Sequence, residues 1–273
     1  MVRITRRFYF SAAHRYEVPG WSDQQNLEAF GACVRTHGHN YVVEITVEGP
    51  VDPKTGMVMN LTELKRIGNQ VVERFDHRNL NEDLPEFRET LPTSENLARV
   101  IFRLVRPLLP EGVRLYRVRV HETEDLFADF YGEEDEEGRD QALLGRRYRF
   151  SAAHRLHSEY LSEEENRRLF GKCFHPRGHG HDYLVYVGVY GPLDPLGRVA
   201  NLAALDRTVL QVLQPLQCRW LDREVPALRH RPATTENLAL YLWQQLQGLR
   251  PPLALLHVRE TRNNFFEIGG KSL

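Results

Sequence analysis

The sequence predicts an α+β protein made of two tandem ββααββ units, each an antiparallel sheet with two helices on one face. The first observation is a repeat: Phe-Ser-Ala-Ala-His at 10–14 returns at 150–154, and His-Gly-His at 37–39 returns at 179–181. The second is the offset of about 140 residues, which suits a whole domain and not a solenoid repeat. The third is that strand patterns flank paired helix patterns in both copies.

The first copy shows its elements through apolar periodicity. Residues 2–10 and 41–48 alternate and are rich in β-branched and aromatic side chains, which predicts two strands. Apolar residues at helical spacing predict a helix over 61–75. Thr93 or Ser94 can cap a second helix that ends near 105. Alternation over 113–120 and 126–131 predicts the last two strands.

The second copy follows the same order. Its predicted strands lie near 146–153, 182–190, 253–259 and 265–268, and its helices near 202–216 and 235–247. With both helices on one face, the other face of each sheet must be polar or covered elsewhere.

The predicted domains are residues 1–132 and 145–273, joined by an acidic linker at 133–144. The run Gly-Glu-Glu-Asp-Glu-Glu-Gly at 132–138 has nothing apolar to bury and is bracketed by glycines. Both properties are typical of an exposed connection.

Composition narrows the class of protein. A net charge of −1 argues against a non-specific nucleic-acid binder. Three cysteines without disulfide-like spacing fit a reducing compartment. The first residues have no apolar stretch of the kind a signal peptide needs, and no segment is long and apolar enough to span a bilayer. The sequence therefore predicts a cytoplasmic protein without nucleic-acid or membrane partners.

Histidines supply the strongest candidate site. The two residues of each His-Gly-His lie two apart at the start of a strand, so their side chains point to the same side. The histidine of Ser-Ala-Ala-His ends the preceding strand and can lie opposite them. Three histidines with an open fourth position are typical of a catalytic Zn²⁺ site. The predicted ligands are His14, His37 and His39 in the first copy, and His154, His179 and His181 in the second.

A cysteine precedes the paired histidines in both copies. Cys33 lies four residues before His37 of the first His-Gly-His motif. Cys173 lies six residues before His179 of the second. A thiol beside a metal can have a lowered pKa and act as a base or nucleophile, which makes both cysteines candidate catalytic residues. The alternative is a small buried side chain without a chemical role.

Asp76 and His77 form a second candidate catalytic pair. An aspartate can orient a neighbouring imidazole or raise its basicity. An ungapped comparison of the copies, anchored on Glu-Asn-Leu-Ala, places Gln217 and Cys218 at the corresponding positions. The second copy has therefore lost this pair.

A glutamate follows the third strand of both copies, Glu122 in the first and Glu260 in the second. A carboxylate fixed at a strand end can accept two hydrogen bonds from an amidine-like edge, such as that of a pterin or guanine. Both are predicted to bind substrate, with an exposed terminal glutamate as the alternative.

These motifs resemble the 6-pyruvoyl- and 6-carboxy-tetrahydropterin synthase family. The first copy carries the resemblance through FSAAH, C-x3-HGHNY, GMVMNL, FDHRNLN, PTSENLA and HET. The second carries it through FSAAH, CFHPRGHGHDY, NLAAL, TTENLA and RET. The resemblance implies the tunnelling fold (T-fold), in which ββααββ units assemble by threes into barrels that stack in pairs. A trimer of tandem chains, forming a pseudo-hexamer, is the predicted homo-oligomer.

The resemblance also implies a substrate and roles. Zn²⁺ on the histidines binds side-chain oxygens of 7,8-dihydroneopterin triphosphate, a cysteine removes a proton, Asp76 and His77 relay it, and Glu122 anchors the pterin. The favoured function is a zinc-dependent lyase of the 6-carboxy type, because the first copy has the short cysteine-to-histidine spacing of those enzymes. Alternatives are a 6-pyruvoyl synthase, a non-catalytic pterin- or purine-binding module, and another pterin enzyme on this fold.

The sequence leaves open whether Cys33 or Cys173 acts as the base. In the family, cysteine and Asp-His pair come from different subunits. If unlike copies meet, Cys173 faces Asp76 and His77 of a neighbour; if like copies meet, Cys33 does so, and the second copy is structural.

Overall fold

The computed structural model describes residues 1–270, which form two compact units. Unit 1 consists of Met1–Gly145 together with Tyr190–Ala203, and unit 2 of Arg146–Val189 together with Ala204 onward. The segment Tyr190–Ala203 therefore belongs to the second copy in sequence and to unit 1 in space. No helix within residues 1–270 is both long and apolar enough to cross a membrane.

Unit 1 confirms the α+β prediction. Its elements are β1 (Val2–His14), α1 (Asp23–Phe30), β2 (His37–Gly49), α2 (Leu61–Val72), β3 (Arg78–Asn79), α3 (Leu80–Asp83), α4 (Ser94–Val105), β4 (Arg114–Thr123) and β5 (Leu126–Glu134). The strand order is β3-β1-β2-β4-β5. These pairs are antiparallel, except that the two-residue β3 lies parallel to β1, a departure from the wholly antiparallel sheet of the prediction.

Helices α2 and α4 pack on one face of this sheet. Phe8 of β1 and Ile45 of β2 are buried beneath them, with Ile67 of α2 and Ile101 of α4. Gly68 allows the close approach of α2, because a Cβ there would lie 2.0 Å from the ring of Phe8. Thr93 is the residue that caps α4, since its side chain accepts a hydrogen bond from the Asn96 amide.

The other face of the unit 1 sheet is polar, one of the two outcomes predicted. Arg3 and Arg114 both donate to Glu48, each at 2.9 Å, and Arg7 donates to Glu44 at 2.8 Å. These rows of cross-strand charge pairs keep an uncovered face compatible with water.

Unit 2 repeats the plan. Its elements come from β6 (Asp140–His154), α5 (Glu163–Phe170), β7 (His179–Pro192), α6 (Leu202–Leu213), β8 (Arg219–Trp220), α7 (Leu221–Glu224), α8 (Thr235–Gln245), β9 (Leu253–Arg259) and β10 (Phe265–Gly269). The order β8-β6-β7-β9-β10 mirrors that of unit 1, with β8 parallel to β6. Tyr183, Leu205 and Leu242 lie in its core.

Two local features differ from the sequence expectation. Helices α1 and α5 carry too few apolar residues to show a periodicity, and the only buried residue of each is an asparagine. Residues 133–144 hold the end of β5, a turn and the start of β6, in place of an irregular linker. The acidic residues 133–137 stay largely exposed, whereas residues 142–144 (Ala-Leu-Leu) are buried in a strand.

Candidate functional site

The three histidines of unit 1 converge on one point. His14 and His37 are directly opposite each other in the β1–β2 register, and His39 is two residues further along β2 on the same side. One ring nitrogen of each lies within 4.8 Å of the others. The predicted ligand set is thus brought together by the strand pairing.

Backbone carbonyls orient these rings. The Nδ1 atom of His14 lies 3.1 Å from the Pro92 carbonyl oxygen, and that of His37 lies 2.7 Å from the Arg35 carbonyl oxygen. Such bonds fix the tautomer that leaves Nε2 as the lone-pair donor. The Nε2 atoms of His14 and His39 are buried without a hydrogen-bond partner, which is the arrangement a metal ion would satisfy.

Burial also favours the neutral form of two of these rings. Loss of water lowers the pKa of His14 to about 4, and it lowers the pKa of His39 as well. A neutral imidazole is the form that ligates a metal. The donor set is three histidines, with no fourth His, Cys or carboxylate in the group within residues 1–270, and it fits a divalent ion with an open position.

Unit 2 holds a second triad of the same form. The Nε2 atoms of His154 and His179 are 3.1 Å apart, and His181 completes the group within 4.8 Å. The Nδ1 atom of His154 lies 2.6 Å from the Ala233 carbonyl oxygen, which repeats the contact of His14. Both copies have therefore kept the candidate ligands and the carbonyl that orients one of them.

Glu122, predicted from the sequence to bind substrate, lies beside the first triad. One oxygen accepts hydrogen bonds from the Tyr16 hydroxyl at 2.9 Å and from the Ser94 hydroxyl at 3.1 Å. The other is 3.6 Å from Nε2 of His39. Glu260 holds the corresponding place in unit 2, 3.5 Å from Nε2 of His181. A carboxylate next to each triad can therefore fix a bound molecule by an N–H edge.

The cysteines lie in equivalent loops. The backbone carbonyl of Cys33 accepts the Tyr16 amide at 2.8 Å, and that of Cys173 accepts the Leu156 amide at 2.8 Å. Burial, followed by the negative charge of Glu122, raises the pKa of the Cys33 thiol. In unit 1 the protein environment thus opposes the thiolate that a base requires.

Asp76 and His77 pair with each other. Nδ1 of His77 lies 2.9 Å from an Asp76 carboxylate oxygen, and the other oxygen accepts the Ser11 amide at 2.9 Å. The Ser11 bond, then His77, lowers the pKa of Asp76, so this carboxylate is ionised at neutral pH. His77 has a positive φ of 55°. Cys218 has a φ of 57° at the matching position.

The structure does not bring this pair to the triad of its own unit. Side chains alternate along β1, so Ser11 and Ala13 face away from His14. A depression of about 500 Å³ on that open face is lined by Ser11, Ala13, Asn40 and His77, and His39 of β2 also borders it. His77 therefore opens onto the sheet face opposite to the one that carries the histidine ligands.

Three residues of the site were missed from the sequence: Tyr16, Ser94 and Glu95. Glu95 is buried behind Glu122, and its carboxylate accepts the Val199 amide at 3.1 Å. The sequence held one signal for this residue, because Glu95 recurs as Glu236 in the second copy. Burial, which outweighs its backbone bonds, raises the pKa of Glu95 to about 7.

Replacing Glu95 with glutamine is expected to stabilise unit 1 at alkaline pH. The folded-state pKa of about 7 exceeds the ordinary value of 4.5, so the native state holds the extra proton and stability falls as pH rises between these values. The variant avoids this loss, worth up to about 3 kcal/mol above pH 7. Urea unfolding at about pH 5 and about pH 8 measures the difference. Glu236→Gln, at an exposed position, is the control and should show no such pH dependence.

Comparison with known proteins agrees with this geometry. The model of the 6-pyruvoyl tetrahydropterin synthase family matches residues 3–133 and again 144–271. The 6-pyruvoyl tetrahydrobiopterin synthase of Drosophila melanogaster is 50% identical over 123 residues, which is 44% of this chain and 73% of that protein. The human protein of the same name is 47% identical over 135 residues, 48% of this chain and 93% of its own.

An archaeal relative bears a different name. A protein of Archaeoglobus fulgidus, provisionally called a 6-carboxy-5,6,7,8-tetrahydropterin synthase, is 41% identical over 120 residues, 44% of this chain and 87% of its own. Each of these relatives thus corresponds to about one half of the chain. Because the family model covers nearly the whole sequence in two separate matches, the chain belongs to the 6-pyruvoyl tetrahydropterin synthase family of lyases and carries that family's domain twice.

Proposed function

We propose that the protein is a zinc-dependent lyase that converts 7,8-dihydroneopterin triphosphate to a 6-pyruvoyl-tetrahydropterin. The observation that carries this proposal is a histidine triad with an open position beside a carboxylate, Glu122 in unit 1 and Glu260 in unit 2. The names of the animal relatives favour the pyruvoyl product over the carboxy product expected from the spacing at Cys33.

The reaction is a redistribution of hydrogen that ends in loss of triphosphate. The ring passes from dihydro to tetrahydro, so protons removed from the side-chain carbons must return to the ring. Bound Zn²⁺ would polarise the side-chain oxygens and so acidify the neighbouring C–H bonds. A cysteine thiolate accepts the carbon-bound proton, and His77, oriented by Asp76, delivers or takes a proton at Nε2. The glutamate holds the pterin edge.

Cys173 is the proposed working base, served by Asp76 and His77 from another copy of the chain. Unit 2 has the triad and the cysteine but Gln217 and Cys218 in place of the pair. His77 opens onto the face away from its own triad. The raised pKa of Cys33 also disfavours unit 1 as the site of proton removal.

Bringing Cys173 together with Asp76 and His77 of another chain requires a homo-oligomer. A turn-to-helix contact within unit 1 is our template for the contact between chains. The turn Asp194–Val199 covers the start of α4 there: the Leu91 amide donates to the Leu196 carbonyl, and the Thr93 hydroxyl donates to the Gly197 carbonyl at 3.0 Å. The corresponding turn near 52–58 is largely exposed, and so is Glu236 in the first turn of α8. We propose that they cover each other between copies of the chain. Light scattering gives the number of chains, for which three stays our prediction.

Product analysis tests the function. Zinc-loaded protein is incubated with 7,8-dihydroneopterin triphosphate, and the pterins are identified by mass spectrometry. A 6-pyruvoyl product with released triphosphate supports the proposal. A 6-carboxy product with acetaldehyde supports the second candidate, which the short Cys33-to-His37 spacing favours. Substrate that binds without conversion would assign the protein as a pterin-binding module.

A further inference from the structure

A loop in unit 2 joins the proposed base to a candidate metal ligand. It spans 174–178, between Cys173 and His179, whereas only residues 34–36 separate the corresponding cysteine and histidine of unit 1. Gly178, the last residue of the loop, has a φ of 64°, a conformation that favours glycine. The way in which this loop is held therefore bears on both functional residues that it connects.

The longer loop lacks a hydrogen bond that orients the equivalent ring in unit 1. Nδ1 of His37 lies 2.7 Å from the carbonyl oxygen of Arg35. Nδ1 of His179 is buried, and within residues 1–270 it has no hydrogen-bond partner. Metal-binding histidines are normally oriented through this second nitrogen, so His179 needs another constraint to keep its place.

Trp220 of β8 and Arg223 of α7 supply such a constraint by packing on the loop. A Cβ at Gly178 would lie 2.7 Å from the Trp220 ring and 2.9 Å from the His154 carbonyl oxygen, so the end of the loop fits between the indole and β6. The Arg223 guanidinium lies 3.7 Å from the centre of the same ring and donates to the Pro176 carbonyl at 3.1 Å. Arg223 thus ties the middle of the loop to the indole that holds its end.

Unit 1 uses the corresponding residues differently. Asn79, the counterpart of Trp220, caps α3 with its side chain, whereas Trp220 makes no such bond to α7. Glu82, the counterpart of Arg223, binds Arg15 at 2.8 Å. A capping side chain stabilises the start of a helix, and an indole in its place does not. Contact with the loop therefore accounts for the tryptophan better than the helix that follows it does.

We propose that Trp220 and Arg223 are positioning residues of unit 2, which hold the loop so that His179 can ligate a metal and Cys173 can reach the substrate. The part that concerns Cys173 rests on the function proposed above, whereas the part that concerns His179 needs only the triad. Loss of a residue that orients a metal ligand weakens metal binding by about 10–100-fold. Displacement of a reacting group by about 1 Å can slow a reaction by about 10²-fold.

Trp220→Asn tests the proposal, because it restores the residue that unit 1 has at this position. Zinc affinity is measured by competition with a chromophoric chelator in the full chain carrying His37→Ala, so that only the unit 2 triad is counted. The affinity should fall by about 10–100-fold. Trp220→Phe should recover most of it, since an aromatic ring again meets Gly178 and Arg223. The matched control is Trp243→Asn, which removes a half-buried indole from α8 of the same unit and should change affinity less than about threefold.

The second measurement follows Cys173 by its alkylation with iodoacetamide at one pH, scored by peptide mass spectrometry. In the chain with Trp220→Asn as its only change, alkylation should speed up by about threefold or more, because a loosened loop opens more often. Cys33 in the same sample is the internal control and should keep its rate. With zinc saturating, kcat should fall by about 10²-fold while KM stays within about threefold, since orientation and not substrate binding is lost.

Wild-type zinc affinity or wild-type alkylation of Cys173 in Trp220→Asn would overturn the proposal, and so would an equal loss of affinity in Trp243→Asn. Failure of Trp220→Phe to recover the affinity would overturn it too. Zinc binding and alkylation are both read without turnover. A protein that converts no pterin but shows both changes would therefore refute the lyase and leave the positioning role standing.

Discussion

Replacing His77 with asparagine is expected to lower kcat for the pterin lyase reaction by about 10²–10⁴-fold, the usual contribution of a general acid or base. Asparagine suits this position because it tolerates the positive φ of 55° better than alanine does. The change therefore removes the imidazole without straining the turn. Because the side chain is exposed, with a relative accessibility of 83%, folding should be unaffected.

The matched control is Cys218→Asn, which makes the same side chain at a φ of 57° in unit 2. It should leave kcat within about twofold, because Cys218 has no part in the proposed relay. Steady-state rates with the triphosphate substrate and zinc analysis of each variant complete the measurement. Normal turnover in His77→Asn, with zinc retained, would show that the proposed relay is wrong.

Loss of one ligand in unit 2 is expected to remove one zinc ion and nearly all activity. In His179→Ala, zinc content should fall from about two to about one per chain, because two ligands and water hold the ion poorly. Turnover should fall by about 10³-fold, since polarisation by a metal is worth several kcal/mol in the transition state. The loss of activity should not be recovered at neutral pH by added zinc within the micromolar range.

The matched variant in unit 1 is His37→Ala, which should also lose one zinc ion but keep most of the turnover. This difference follows from placing the working cysteine, Cys173, in unit 2. If His37→Ala is the inactive variant instead, Cys33 is the base, and like units meet in the assembly. Elemental analysis and rates on the same preparations separate the two arrangements.

Much of the metal site could be predicted because it depends on short-range rules. Alternation places His37 and His39 on one side of β2, and the hairpin-like pairing of β1 with β2 puts His14 opposite His37. The duplication provided an internal comparison, which singled out Glu122 as well. Glu122 lies beside the triad, 3.6 Å from Nε2 of His39, and its role in substrate binding stays a prediction.

Other features depend on contacts that periodicity does not encode. Ser94 reaches Glu122 because α4 packs on β4, and Tyr16 reaches the same carboxylate from the loop after β1. Helix α1 buries Asn26 in place of an apolar stripe, and its only sequence signal was the capping box formed by Ser22 and Gln25. The roles of the cysteines and of the Asp-His pair stay predictions, since they depend on how copies of the chain meet.

Because Tyr190–Ala203 belongs to unit 1, cutting the chain between the two repeats removes part of that unit. A polypeptide ending at the acidic turn near 135–139 would contain every element of the first repeat, yet Glu95 would lose the Val199 amide and its cover. Asn96 would likewise lose the Leu196 carbonyl, an acceptor at 3.1 Å. We therefore expect the first repeat alone to expose the start of α4 and to unfold at a lower urea concentration than unit 1 does in the full chain.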